Sequence, residues 1–303
     1  MQHVEFFHID HFENRYHRRK AKKSLWPFID FFWETDFDEL WTQYPQGFSD
    51  ALFPNIGYTY LINLGTPFVM QLEEARHEIK SDGFLPRFKN MICHHAVGNR
   101  IFGIKFNVSP IVFEKKVNFF EYREFIYPLA YLIDPTVVQK VKSADSFNKR
   151  VEIISHYYDK IIEKHAGTLN HVHVVTNCLQ AFADSQFQTS IEALANQNKV
   201  STRTLQRYFE ATTSINTKQA LQIMRIRKAV EQLIFHPHSF QYTRFGYYDY
   251  SHFYKHLKAF LNGHTTAIEQ PHLQLLKRAG QATHRGAESY TLQAACEGNR
   301  ATK

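Results

Sequence analysis

Arg203, Gln206 and Arg207 recur at spacings of three and four in the stretch STRTLQRYF (201–209), so a helix would present all three on one side. Arginine can give guanine O6 and N7 two parallel hydrogen bonds, and glutamine can do the same for adenine, from a helix lying in the major groove. Thr202 falls with this polar set, while Leu205 and Phe209 repeat at i and i+4 as the inner seam of such a helix. The competing reading is a surface helix whose outer face is merely solvated. The pattern therefore needs support from its surroundings.

The elements that would position these side chains are legible on both sides. Upstream, Thr189 and Glu192 stand at capping-box spacing, and Ile191, Leu194 and Ala195 follow on one face. A break over residues 196–199 then precedes a second helix, for which Ser201 is a suitable N-cap. Two short helices joined by a tight turn, with Arg and Gln on the outside of the second, form the pattern of a helix-turn-helix. Downstream, residues 217–233 lack Gly and Pro, and Ile226, Ala229, Val230 and Leu233 make a helical stripe. A second unit follows in FGYYDYSHFYKHLKAF (245–260). It has a turn at Gly246, Asp249 or Ser251 as cap, and Phe253, Leu257 and Phe260 as seam. Tyr250, His252, Tyr254, Lys255 and Lys258 remain outside.

In order and approximate spacing, LA (194–195), VSTRTLQRYF (200–209), RIRKA (225–229) and GYYDYSHFYKHLKAF (246–260) resemble the double helix-turn-helix module of AraC-type bacterial transcription regulators, over residues 170–266. The resemblance implies an all-α DNA-binding module whose two recognition helices, here 201–210 and 250–260, enter the major groove. It implies groove-facing Ser201, Thr202, Arg203, Gln206 and Arg207 in the first unit, and Tyr250, Ser251, His252, Tyr254 and Lys255 in the second. Asn198 and Lys199 depart from the family's usual apolar and turn-forming pair, and Ser214 and Thr217 stand where glycine and proline are usual. Residues 236–245 contain Pro237 and are shorter than the family's support helix. These departures predict a first turn that is either loosened or strained, and a degenerate second unit.

Residues 24–120 read mainly as strands. Apolar or alternating runs at 27–33, 58–64, 68–72, 100–106 and 111–113 are separated by turn signals, as in a barrel or sandwich. FPNIGYTYLINLGTPF (53–68) and FGIKFNVSP (102–110) resemble the amino-terminal β-barrel of one branch of the same family, a domain that often senses a small molecule and contributes to dimerisation. From residue 121 the period turns helical. Asp134-Pro135 starts one helix, and Ser146 caps a longer one with the stripe Val151, Ile154, Tyr158 and Ile161. Packing on the barrel is the favoured role of that helix; dimerisation or signal relay is the alternative. The expected architecture is α+β: a mainly β, barrel-like sensor domain (1–120), a helical linker (121–167), an all-α double helix-turn-helix domain (168–270) and a poorly ordered tail (271–303).

Composition narrows the function. A chain of 303 residues, 44% apolar with 27 Phe and 16 Tyr, accommodates two cored domains and excludes disorder as its main state. Residues 1–170 hold 21 Lys+Arg against 21 Asp+Glu, whereas residues 171–280 hold 12 against 6. The basic excess thus sits on the segment with the base-reading pattern, as a phosphate-seeking surface requires. The run 18–23 (RRKAKK) reads as a solvated loop in preference to a DNA-reaching arm. Cys93, Cys178 and Cys296 are widely spaced, which fits a reducing compartment.

Adjacent His94 and His95 would point to opposite faces of a strand, and His171 and His173 diverge on a helix. No metal and no cofactor is therefore expected. No nucleophile–base pair or paired carboxylates in context point to an enzyme. No apolar run is long enough to span a membrane, and LWPFIDFFWE (25–34) is too short and too quickly acidic for a secretory signal. The expectation is a cytoplasmic, nucleoid-associated bacterial protein. Its expected partners are double-stranded DNA, a small-molecule effector and a second copy of the chain, with no membrane. The alternative is a protein-interaction or ligand-binding protein whose second helix-turn-helix has degenerated.

Overall fold

The structure, a computed structural model, describes residues 1–167 and 170–261, so the expected tail lies outside the described residues. The first half contains, in order, β1 (Gln2–Val4), α1 (Ile9–Asn14), β2 (Tyr16–Lys20), β3 (Ile29–Thr35), α2 (Leu40–Gln43) and β4 (Phe48–Leu52). Then come β5 (Tyr58–Asn63), β6 (Phe68–Leu72), β7 (Ala75–Ile79), β8 (Gly83–Pro86), β9 (Met91–His95), β10 (Ile101–Phe106), α3 (Ile111–Glu114) and β11 (Tyr127–Pro128). The helices α4 (Pro135–Lys142) and α5 (Phe147–Lys164) lead to the second half: α6 (Asn170–Asp184), α7 (Ile191–Gln197), α8 (Thr202–Thr213), α9 (Thr217–Phe235) and α10 (Tyr250–Leu261).

The strands form two sheets, β1-β4-β9-β6-β7 and β11-β8-β5-β10-β3-β2. Of the barrel or sandwich that the sequence allows, the barrel-like closure is not found: two open sheets pack face to face, with Leu61, Leu85 and Ile101 of one meeting Met70, Met91 and Cys93 of the other. At least one edge is built against closure: β2 is an edge strand whose His17, Arg18, Arg19 and Lys20 are exposed. A charged edge does not invite another strand. The basic run thus begins on a strand and continues into a loop.

β5 and β10 are buried at every position because both faces of their sheet are covered. One face meets the other sheet; the opposite face lies under α5, where the Phe106 and Tyr158 rings are 5.1 Å apart and Arg150 bonds Glu34 at 3.2 Å. The stripe Val151, Ile154, Tyr158 and Ile161 is buried there, as a helix packed on a sheet requires. One predicted strand is corrected: residues 111–113 open the short helix α3, following Pro110, which lacks the N–H that a ladder would use.

The helical half shares its core with the sheets. The Phe53 and Phe260 rings stack at 5.1 Å, the Ser214 hydroxyl lies 2.7 Å from that of Tyr58, and Arg227 of α9 pairs with Glu5 at 2.7 Å. Ser214 holds a left-handed φ of +67° at the end of α8, the position where the resemblance expects glycine. Burial and the Tyr58 contact accompany that conformation.

Candidate nucleic-acid interface and adjoining cavity

The helix-turn-helix begins one residue later than the capping box predicts. Ser190 caps α7, accepting the Ala193 N–H at 3.2 Å, whereas Thr189 donates its own N–H to Ser185 Oγ. The chain enters the helix after Ser190, in extended backbone, so Thr189 is one residue too far out to reach. Ser201 caps α8 as expected, accepting from the Thr204 N–H at 3.1 Å. Between them, Val200 N–H bonds Ala195 O and Lys199 N–H bonds Asn196 O, the paired bonds of a Schellman turn. Lys199 occupies its left-handed position with φ +55°, the strained outcome of the two the sequence predicts there.

This frame exposes Ser201, Thr202, Arg203, Gln206 and Arg207 on one side of α8, while Leu205 and Phe209 are fully buried on the other. Gln206 Nε2 donates to Glu210 Oε1 at 2.9 Å, so its amide is held along the helix. Arg207 and Tyr208 rim a crevice of about 320 Å³ that reaches Phe120 and His171.

In the second unit, two 3-10 turns, Pro237–Ser239 and Tyr242–Phe245, stand in place of a support helix. Asp249, and not Ser251, caps α10 by accepting the His252 N–H at 2.7 Å. Ser251, His252 and Lys255 are exposed, whereas Tyr250 and Tyr254 are half-buried with their rings 5.7 Å apart. Two of the five groove-facing candidates thus lean on the helix's own surface. A role invisible in the sequence belongs to Arg225 of the RIRKA stretch. Its guanidinium lies over the Phe182 and Tyr247 rings at 5.5 and 5.4 Å and donates to Phe187 O, tying α6 and the loop before α7 to the turn before α10.

A cavity of about 820 Å³ lies between the sheets and opens onto α6 and α9. Its wall is mixed: Trp33, Leu61, Met70, Leu85 and Met91 are apolar, Glu5 and Asp30 are acidic, and Gln180, Met224 and Arg227 stand at the helical end. Gly103 makes room for the Trp33 ring in that wall: a Cβ there would fall 1.9 Å from it. Two buried cations enter the wall. Lys105 donates to the carbonyls of Ile56 and Phe106, and burial pulls its pKa down to about 7. Arg87 has its pKa lowered to about 10 by burial, and its Nε has no partner among the described residues. Neither cation has an ion-pair partner among those residues. The sequence holds a partial signal for Lys105, since strand alternation sets it on the face of Ile101 and Gly103.

His94 and His95 do diverge on β9. His94 contacts Gln71, while His95 turns inward to a fully buried carboxylate, Asp50, with Nε2 at 3.2 Å from Oδ2. His3 Nδ1 and His11 Nε2 approach the other oxygen, Oδ1, at 3.3 and 3.0 Å, and the Tyr16 hydroxyl donates to Oδ2. Burial opposes the charge on Asp50, but His11, His3 and His95 outweigh it and hold the carboxyl well below its ordinary range. Sequence spacing could not reveal this cluster, because β1, α1, β4 and β9 each supply a part. His171 and His173 diverge as expected, the first toward Phe113 and the second toward Phe28.

No known family's sequence profile and no curated protein matches this chain. Among solved structures it is similar to unsaturated fatty acid bound ToxT from Vibrio cholerae strain SCE256, at 11% identity over 71% of this chain and 87% of that one, with a TM-score of 0.39. An apo ToxT variant from the same strain aligns at 10% identity over 85% and 100% of the two chains, with a TM-score of 0.43. ToxT from strain O395 bound to (E)-4-(8-methylnaphthalen-1-yl)but-3-enoic acid aligns at 12% identity over 74% and 92%, with a TM-score of 0.39. Likeness at this level fixes neither fold nor function.

Proposed function

We propose that this chain is a sequence-specific DNA-binding transcription regulator of the AraC type, reading the major groove with α8 and adjusted by a small ligand in the cavity. The carrying observation is the α7–turn–α8 unit, which buries Leu205 and Phe209 and presents Arg203, Gln206 and Arg207 together on an exposed face. Lys and Arg around the units neutralise phosphates, and those three side chains read bases.

The cavity supports an amphipathic carboxylate as the ligand class. The apolar part of the wall takes the hydrocarbon, and Lys105 and Arg87, which make no close ion pair among the described residues, take the acid in competition with the nearby Asp30 and Glu5. Because the cavity ends at α9, which runs between the two helix-turn-helix units, an occupant would touch the element that sets their separation. Dimerisation belongs to this proposal as a further route to two adjacent binding sites.

A second reading is favoured by the second unit's form. With 3-10 turns for a support helix and Tyr250 and Tyr254 half-buried, α10 would serve packing or protein contacts while α8 alone reads bases. The test is a comparison of Arg203→Ala with Tyr254→Ala and Lys255→Ala on a selected site and on unrelated DNA. Two working units predict that Arg203→Ala and Lys255→Ala each cost about 1–3 kcal/mol at the selected site only. Loss from Arg203→Ala alone supports the second reading, and equal losses on both DNAs would remove base reading from α8.

A further inference from the structure

We propose that His3, His11 and Asp50 form a binding site for a divalent transition metal, zinc being the ion these donors suit, which fastens the amino-terminal segment to the five-stranded sheet. His3 Nδ1, His11 Nε2 and an Asp50 oxygen all lie within 4.8 Å of one another. Their side chains are only 11%, 6% and 0% exposed. The donor set is two imidazoles and a carboxylate, borderline ligands that leave a fourth position open.

Two observations separate this cluster from an ordinary buried salt bridge. First, His3 Nδ1, His11 Nε2 and Asp50 Oδ1 approach within 3.0 to 3.3 Å yet lack hydrogen-bond alignment with any partner among the described residues. Buried polar atoms seldom go unpaired. Atoms bound tetrahedrally to one zinc ion at about 2.0–2.1 Å stand about 3.3 Å apart, close to the two nitrogen–oxygen distances here, while all three atoms lie within 4.8 Å of one another. The His3 and His11 rings stack at 3.6 Å and 7°, so one ring must turn about its Cβ–Cγ bond for both in-plane lone pairs to meet at one ion. Second, the Tyr16 hydroxyl donates to the carboxylate from behind, and His95, whose other nitrogen is 2.6 Å from Asn99 Oδ1, approaches the same oxygen at 3.2 Å. Outer partners of this kind orient a metal's ligands.

The position gives the ion a structural consequence. His3 belongs to β1, His11 to α1 and Asp50 to β4, so one ion would tie three elements together. Tyr16 and His95 also line the cavity, and Glu5, which follows β1, accepts from Arg227 of α9. Metal binding would thus order the strand that closes the cavity and anchors α9.

The experiment uses the full untagged chain, stripped with chelator and titrated with zinc against a competing chelator, so that weak surface sites among the 18 histidines are not counted. The expected result is about one tightly held zinc ion per chain, a rise in melting temperature on loading, and a four-coordinate visible spectrum when cobalt replaces zinc. His11→Gln and His3→Gln should abolish tight binding, Tyr16→Phe should weaken it about 10- to 100-fold, and the exposed His17→Gln should leave it unchanged. A wild-type chain that binds no tight zinc overturns the proposal, irrespective of how the variants fold. So does full stoichiometry retained in folded His3→Gln and His11→Gln proteins.

Discussion

Lys105 shows how one residue carries a functional reading. Its amine is buried and makes no close ion pair among the described residues, and burial, only partly offset by Asp30, lowers its pKa to about 7. The unfolded chain therefore binds more protons than the folded one between that value and the ordinary lysine range. Stability of the ligand-free protein should rise with pH across that window, and Lys105→Met should flatten the dependence in thermal unfolding. A carboxylate in the cavity has the opposite preference, because it needs the ammonium. Affinity for a medium-chain fatty acid should be level below pH 7 and fall by up to about tenfold per pH unit above it, a dependence absent from Lys105→Met when measured by calorimetry. Gly103 makes an independent test of the same cavity. A methyl group there must displace the Trp33 ring, so Gly103→Ala should destabilise by about 1–3 kcal/mol and weaken ligand binding even at low pH. Neither effect could be read from sequence beyond the alternation that puts Lys105 and Gly103 on one face, since the burial comes from the opposite sheet.

At the scale of elements, α7, α8, α9 and α10 were legible because their apolar residues repeat at helical spacing. Leu205 with Phe209, Ile226 with Val230, and Phe253 with Leu257 are all buried. End signals were harder to assign, since Thr189 and Ser190 are both good caps and only the entering backbone chooses between them. Ser190→Ala should cost about 0.5–2 kcal/mol in denaturant unfolding while Thr189→Ala stays within about 0.5. The reverse order would restore the capping box. The strands were legible where one face is buried, as in β6. Short or edge strands were not: β1 has three residues, and β2 is basic enough to pass for a loop. Residues 111–113 misled for the opposite reason. An apolar run of that length fits a buried strand or a buried helical turn equally, and Pro110 decides for the turn.

Across the whole molecule, the charge asymmetry and the change from strands to helices were visible in the sequence, but the joint between sheets and helices was not. Glu5 with Arg227, Tyr58 with Ser214 and Phe53 with Phe260 connect residues far apart in the chain, and no local pattern announces them. The joint makes the cavity part of the helical module's foundation, which is why occupancy should alter DNA binding. Arg227→Ala should weaken that coupling, so that a fatty acid changes DNA affinity less than in the parent protein while α8 still binds its site. The central claim, base reading by α8, is tested most directly by selecting random DNA fragments with the purified full chain and with its Arg203→Ala/Arg207→Ala variant, at low and physiological salt, with and without a medium-chain fatty acid. The account predicts a common motif enriched by the parent chain and lost in the variant, while salt-sensitive binding to unrelated DNA persists in both. Failure to enrich any motif under all of these conditions, or the same motif recovered from the variant, would contradict it.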